Sequence, residues 1–142
     1  MSREQVAALT SWLEGLTFTD VGLVGGSAAL AGKVAVLGPR QAFPEGRAPL
    51  AFLLHARTGL APLGMQAEIR STYEVAIQLP IASHDEATTV GAEVLAVLAA
   101  SLYVQLLGGS SFQHVIDGSS ASYDHARRTL TVYAAITCTL IL

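Results

Sequence analysis

The segment TLTVYAAITCTLIL, Thr129 to Leu142, constrains this chain more than any other. Alternate positions read Leu130, Val132, Ala134, Ile136, Cys138, Leu140 and Leu142, and the intervening ones Thr129, Thr131, Tyr133, Ala135, Thr137, Thr139 and Ile141. Period-two spacing of this kind specifies a β-strand. Neither set contains a charge, so both faces call for cover. Fully extended, the segment spans about 46 Å at roughly 3.3 Å per residue. A compact domain of this length is about 37 Å across. The strand is therefore expected to bend or to reach past its own sheet, and a long apolar strand left uncovered pairs with other chains.

Composition points the same way. Apolar residues make up 51% of the chain and charged residues 13%, against about 25% charged in an ordinary globular domain. The excess implies apolar surface shared with a partner and excludes disorder. One α+β domain over residues 1–142 is expected. The net charge of −3 gives no general attraction to nucleic acid or anionic lipid. Cys138 is the single cysteine, so no intrachain disulfide can form, and its place on the apolar set suggests a packed thiol. MSREQVAALTSW carries no signal-peptide pattern. Val90 to Leu107 is apolar but contains Glu93 and Gln105, which suits a buried helix better than a membrane span.

Helical spacing of Val6, Leu9, Leu13 and Leu16 predicts a helix over residues 3–16, with Trp12 at its edge. Ser2 and Gln5 form a capping-box pattern at its start. Residues 17–33 are rich in glycine and alanine and receive no assignment. Residues 33–37 read as a strand, 38–49 as a proline-bearing loop, 50–56 as a buried strand and 57–67 as a second loop. Residues 68–79 alternate: Ile69, Ser71, Tyr73, Val75, Ile77 and Leu79 against a polar set beginning with Glu68, Arg70 and Thr72. A helix follows from Ser83 or Asp85 to Leu107, ended by Gly108 and Gly109. Its apolar residues, among them Val94, Leu95, Leu98 and Leu102, go most of the way round, which predicts cover on more than one side. Residues 112–117 read as a strand and 118–128 as a turn before the final strand. The expected architecture is a mostly antiparallel sheet with an N-terminal helix and one long helix packed on one face. Subunit contacts are expected at Leu130, Val132, Tyr133, Ile136 and Leu140 of the strand and at Val94 and Leu98 of the helix.

Catalytic patterns are weak. GGSAALAGKV, residues 25–34, lacks the first glycine and the final hydroxyl of a phosphate-binding loop, whose places hold Ser27 and Val34. The four histidines show no helical zinc spacing. His114, Asp117, Asp124 and His125 could meet across a hairpin as a metal or proton-transfer cluster of a small oligomeric enzyme, or simply satisfy a polar turn. No serine stands in a nucleophile-elbow motif. No cofactor and no catalytic residue is assigned.

The layout resembles that of the tail terminator, or tail completion, proteins of long-tailed bacteriophages and related particles. The matching pieces are REQVAALTSWLEGL, PEGRAPLAFLLHA, EIRSTYEVAIQLPI with the helix from Asp85, and VIDGSSASYDHARRTLTVYAAITCTLIL. The resemblance implies a structural virion protein, not an enzyme, found in the tail and assembled in the host cytoplasm. Such proteins form a ring, usually hexameric, that stops polymerisation of the tail tube and offers a surface to the head connector. The implied partners are other copies of the chain, the tail tube protein and the head connector protein, with no membrane and no sequence-specific nucleic acid. Arg40, Arg47 and Arg57 are then candidates for partner contacts. Another head–tail adaptor is the alternative within the same class.

Overall fold

The computed structural model describes residues 3–19, 27–38, 49–63, 66–107 and 113–141. In chain order these form α1 (Arg3–Glu14), β1 (Thr17–Thr19), β2 (Ser27–Ala29), β3 (Val34–Leu37), β4 (Leu50–Leu63), β5 (Gln66–Pro80), α2 (His84–Leu107), β6 (Gln113–Asp124) and β7 (Thr129–Ile141). Strands β3 to β7 make one sheet in the order β3-β4-β5-β7-β6. All its pairings are antiparallel except β3 with β4, so the sheet is mixed and the class is α+β. Strands β1 and β2, in the stretch that the sequence leaves unassigned, pair as a small separate ribbon.

Both helices contribute to one core on one face of this sheet. Leu9, Trp12 and Leu13 of α1 and Val90, Val94 and Leu98 of α2 are buried with Ala51, Leu53, Tyr73, Val75, Ile77, Leu79, Leu130, Val132, Ile136 and Cys138. The alternation of β5 and β7 thus resolves into a helix-side set and an opposite set. Trp12, expected at a helix edge, is fully buried. Gln5 turns towards the sheet, where its Oε1 accepts a 2.7 Å hydrogen bond from the Tyr73 hydroxyl. Ser2, its expected capping partner, lies outside the described residues. Helix α2 begins where Ser83 accepts from the amides of Ala87 (3.1 Å) and Glu86 (3.4 Å). The Tyr73→Phe variant takes the hydroxyl donor from a buried amide, and equilibrium unfolding should show a loss of about 1–3 kcal/mol.

Several sequence expectations are corrected. Residues 57–63, read as loop, are the outer half of β4, and with β5 they make strands of 14 and 15 residues. Gly59 and Pro62 suggested a break, yet beyond Leu54 no described strand pairs with the outer edge of β4. A proline at such an edge forfeits no ladder bond to a neighbour. Strand β6 continues through the serines to Asp124, shortening the turn to residues 125–128. It is an edge strand among the described elements, where polar residues and an irregularity between Ile116 and Gly118 are tolerated. The all-round apolar reading of α2 fails over its first half. Ala87, Val90, Val94 and Leu98 form a buried stripe, and the far side exposes Thr88, Thr89, Ala92, Glu93 and Ala96.

Leu130, Val132, Ile136, Val94 and Leu98, expected at a subunit interface, are at most 2% exposed within this one chain. The chain's own helices cover them, so these five belong to the core and not to a contact surface. Tyr133 points the other way and is 40% exposed. The side chain of Leu140 lies outside the described residues, although its backbone pairs with Ile69.

Candidate functional site

Towards the β4–β5 turn the helix side of the sheet passes from an apolar to a partly polar lining. Its last fully buried apolar row on the helix side joins Tyr73 to Ile136, and the next joins Thr58, Ser71 and Cys138. There the surface turns polar. His55 Nε2 lies 2.7 Å from Thr58 Oγ1, which lies 3.1 Å from Ser71 Oγ. The chain of hydroxyls satisfies Ser71, buried at the point where core gives way to solvent. His55 also packs its ring 5.2 Å from that of Tyr73. Burial holds the His55 imidazole below its ordinary titration range, against the raising effect of a backbone hydrogen bond at Arg57. Burial likewise pushes the Cys138 thiol up to about 12, which makes it a packing group and not a nucleophile.

A lowered histidine pKa gives stability a definite slope. Between its folded and unfolded pKa values the unfolded chain binds more protons, so stability rises with pH across that window. Neutral His55 contributes fully above about pH 6.5, and the contribution falls as pH drops towards the folded value. Unfolding at a series of pH values should show that slope in the parent protein and a flatter profile in His55→Gln.

The opposite face of the same end carries charge. Arg57 pairs across β4–β5 with Thr72, and Gly59 with Arg70. Thr72 and Thr137 hydroxyls lie 3.5 Å apart across β5–β7. Arg57, Gly59, Leu60, Arg70, Thr72 and Thr137 line a cleft of about 390 Å³. Arg70 donates through Nε to Glu68 Oε1, and the Glu68 side chain is 8% exposed where that of Arg70 is 58% exposed. A largely buried carboxylate thus fixes the stem of a guanidinium that faces water. Gly59 leaves open space, since a Cβ there would meet nothing within 4 Å. Leu60 is 70% exposed at the cleft's rim.

Of the expected partner contacts, Arg57 is exposed on this face, and Arg40 and Arg47 lie outside the described residues. The His114, Asp117, Asp124, His125 cluster is not assembled. Strand β6 places His114 opposite Cys138 and Asp124 opposite Thr129, about 33 Å apart along the strand. The side chains of His114 and Asp117 lie outside the described residues. Asp124 instead accepts from the amides of Ala126 and Arg127, capping the turn, while Tyr123 packs near His84 and His125. Gly32 and Lys33 lead into strand β3, where a phosphate-binding loop would lead into a helix. Among the described residues no three His, Cys, Asp or Glu side chains gather as a metal site, and no helix is long and apolar enough to cross a membrane.

Arg70 and Glu68 were visible in sequence as neighbours on the polar set of β5, but their meeting with Arg57 was not. That juxtaposition needs the hairpin register, which the loop reading of residues 57–67 concealed. No protein-family model and no curated protein matches this sequence.

Proposed function

We propose that this chain is a ring-forming structural subunit of the tail terminator kind, which caps a tail tube and joins it to a head connector. One observation carries the reading: β4 and β5 pair as a long hairpin arm of 14 and 15 residues that carries exposed Leu60 and the Arg57–Arg70 cleft. An arm of this kind suits docking better than bond-making. Its hydroxyls are spent on one another, and its sulfur is buried. The order of helix, strands, long helix and C-terminal antiparallel pair fits the resemblance found in the sequence.

Since the helix-side face is self-covered, ring contacts fall to other apolar positions. Val36 (46% exposed), Leu60 and Tyr133 are the exposed large apolar side chains among the described residues. They lie on β3, on the arm and on the face opposite the helices. A heterologous contact repeated between copies closes into a ring when its rotation permits. Electron microscopy of tail tube protein polymerised with and without this chain tests the reading. Tubes of limited length with a ring at one end are expected, and unchanged, uncapped tubes would refute it.

A further inference from the structure

We infer that copies of this chain join by strand pairing, the outer β4 edge of one copy laid against β6 of the next, with Leu60 seated in the groove between α2 and β6; this rests on the ring reading above and names its contact. Past the irregularity between His55 and Arg57, the residues Arg57, Thr58, Gly59 and Leu60 are all exposed. Both faces of that stretch thus meet solvent, and among the described strands none pairs with its outer edge. At the other end of the sheet β6 is the last described strand, and Ser120, Ala121 and Ser122 are exposed in the same way. Edges of this kind present rows of backbone donors and acceptors to an incoming strand.

Direction and facing agree with such a joint. The antiparallel pairings β4–β5, β5–β7 and β7–β6 separate the two edge strands, so β4 and β6 run in opposite directions. Rotation about a ring axis lying along the strands keeps the direction of each strand and the side on which the helices sit. The β4 of one copy then meets β6 of the next antiparallel, with both sets of helices on one side. Thr58 reaches Ser71 on that helix side, and Leu60, two residues on and opposite Ile69, shares its face. Leu60 is 70% exposed there. Ala121 and Tyr123 of β6 lie on the same side, opposite the core residues Val132 and Leu130.

With Thr88, Gly91, Ala92 and Leu95 of α2, these two residues line a mainly apolar groove of about 310 Å³. Helix and strand come close at its floor, where a Cβ on Gly91 would stand 3.3 Å from that of Ala121. Tyr123 donates its hydroxyl to the Ile81 carbonyl at 3.2 Å, which fixes its ring as a wall. One edge of the chain thus carries an apolar knob and the other an apolar hole, as a head-to-tail contact requires. Arg57 falls in the other alternation, opposite Thr72, and its side chain stays on the cleft side.

Disulfide cross-linking tests the contact, because Cys138 is the single cysteine and is buried. Leu60→Cys is made in one full-length chain, and Thr88→Cys or Ala92→Cys in another. All three positions are exposed, so the circular dichroism of each variant should match the parent. The two chains are mixed and oxidised, alone and with preformed tail tubes. The mixture should give at least about tenfold more linked dimer than any variant by itself, since the bond forms only where Cα atoms come within about 7 Å. A two-fold contact would instead link Leu60→Cys to itself. Self-linking as strong as cross-linking, or no cross-linked dimer with either groove position, would overturn the inference. If the parent chain still caps tail tubes, such a result removes this contact and leaves the terminator reading standing. A linked dimer from a chain that caps no tubes removes the terminator reading and keeps the contact.

Discussion

Trp12→Ala is expected to destabilise the fold by about 3–5 kcal/mol, the cost of emptying a large aromatic site in a packed core. Trp12 is fully buried in the cluster that joins α1 and α2 to β4, β5 and β7. It is among the bulkiest side chains there, with Tyr73. Ser11→Ala, one residue away but exposed, should change stability by no more than about 0.5 kcal/mol. Urea unfolding followed by circular dichroism reads both. A Trp12→Ala loss as small as that of Ser11→Ala would mean that α1 is not held against the sheet as described.

The second large effect falls on assembly and not on folding. Arg57→Glu reverses a charge on an exposed side chain of the arm and puts it within the cleft that holds Arg70. Like charges brought together across an interface cost several kcal/mol, so joined particles should fall at least about tenfold, with separate heads and capped tails accumulating. The melting temperature and the mass of the isolated protein should not change. Particle counts by electron microscopy read the first, and light scattering the second. Normal yields of joined particles from Arg57→Glu would remove Arg57 from the joint.

How far the sequence showed this depends on the element. The alternation in β5 and β7 was legible because both strands have helices on one side, so burial follows residue parity from Leu130 to Cys138. What lay over that face was misjudged. The uncharged strand suggests that Leu130, Val132 and Ile136 need another subunit, whereas helices α1 and α2, legible in the same sequence, suffice to bury them. Periodicity gives the face of an element and not its neighbour. The arm was hidden for a different reason. Gly59 and Pro62 are turn residues by local chemistry, and only the tertiary fact that the outer half of β4 borders no described strand makes them acceptable within a strand. The candidate site inherits that blindness. Glu68 and Arg70 stand two apart on one strand face and could be paired by eye, whereas Arg57 joins them only through the β4–β5 register. The parallel pairing of β3 with β4 was equally invisible, since a four-residue strand carries no signal of direction.

The central claim is that this chain works as a closed assembly on the end of a tube. Sedimentation of the purified protein, alone and with preformed tail tubes, addresses it most directly. The account predicts one defined multimer, either free in solution or bound to the tubes at a fixed number per tube end. A chain that sediments as a monomer in both mixtures and never travels with the tubes would contradict it.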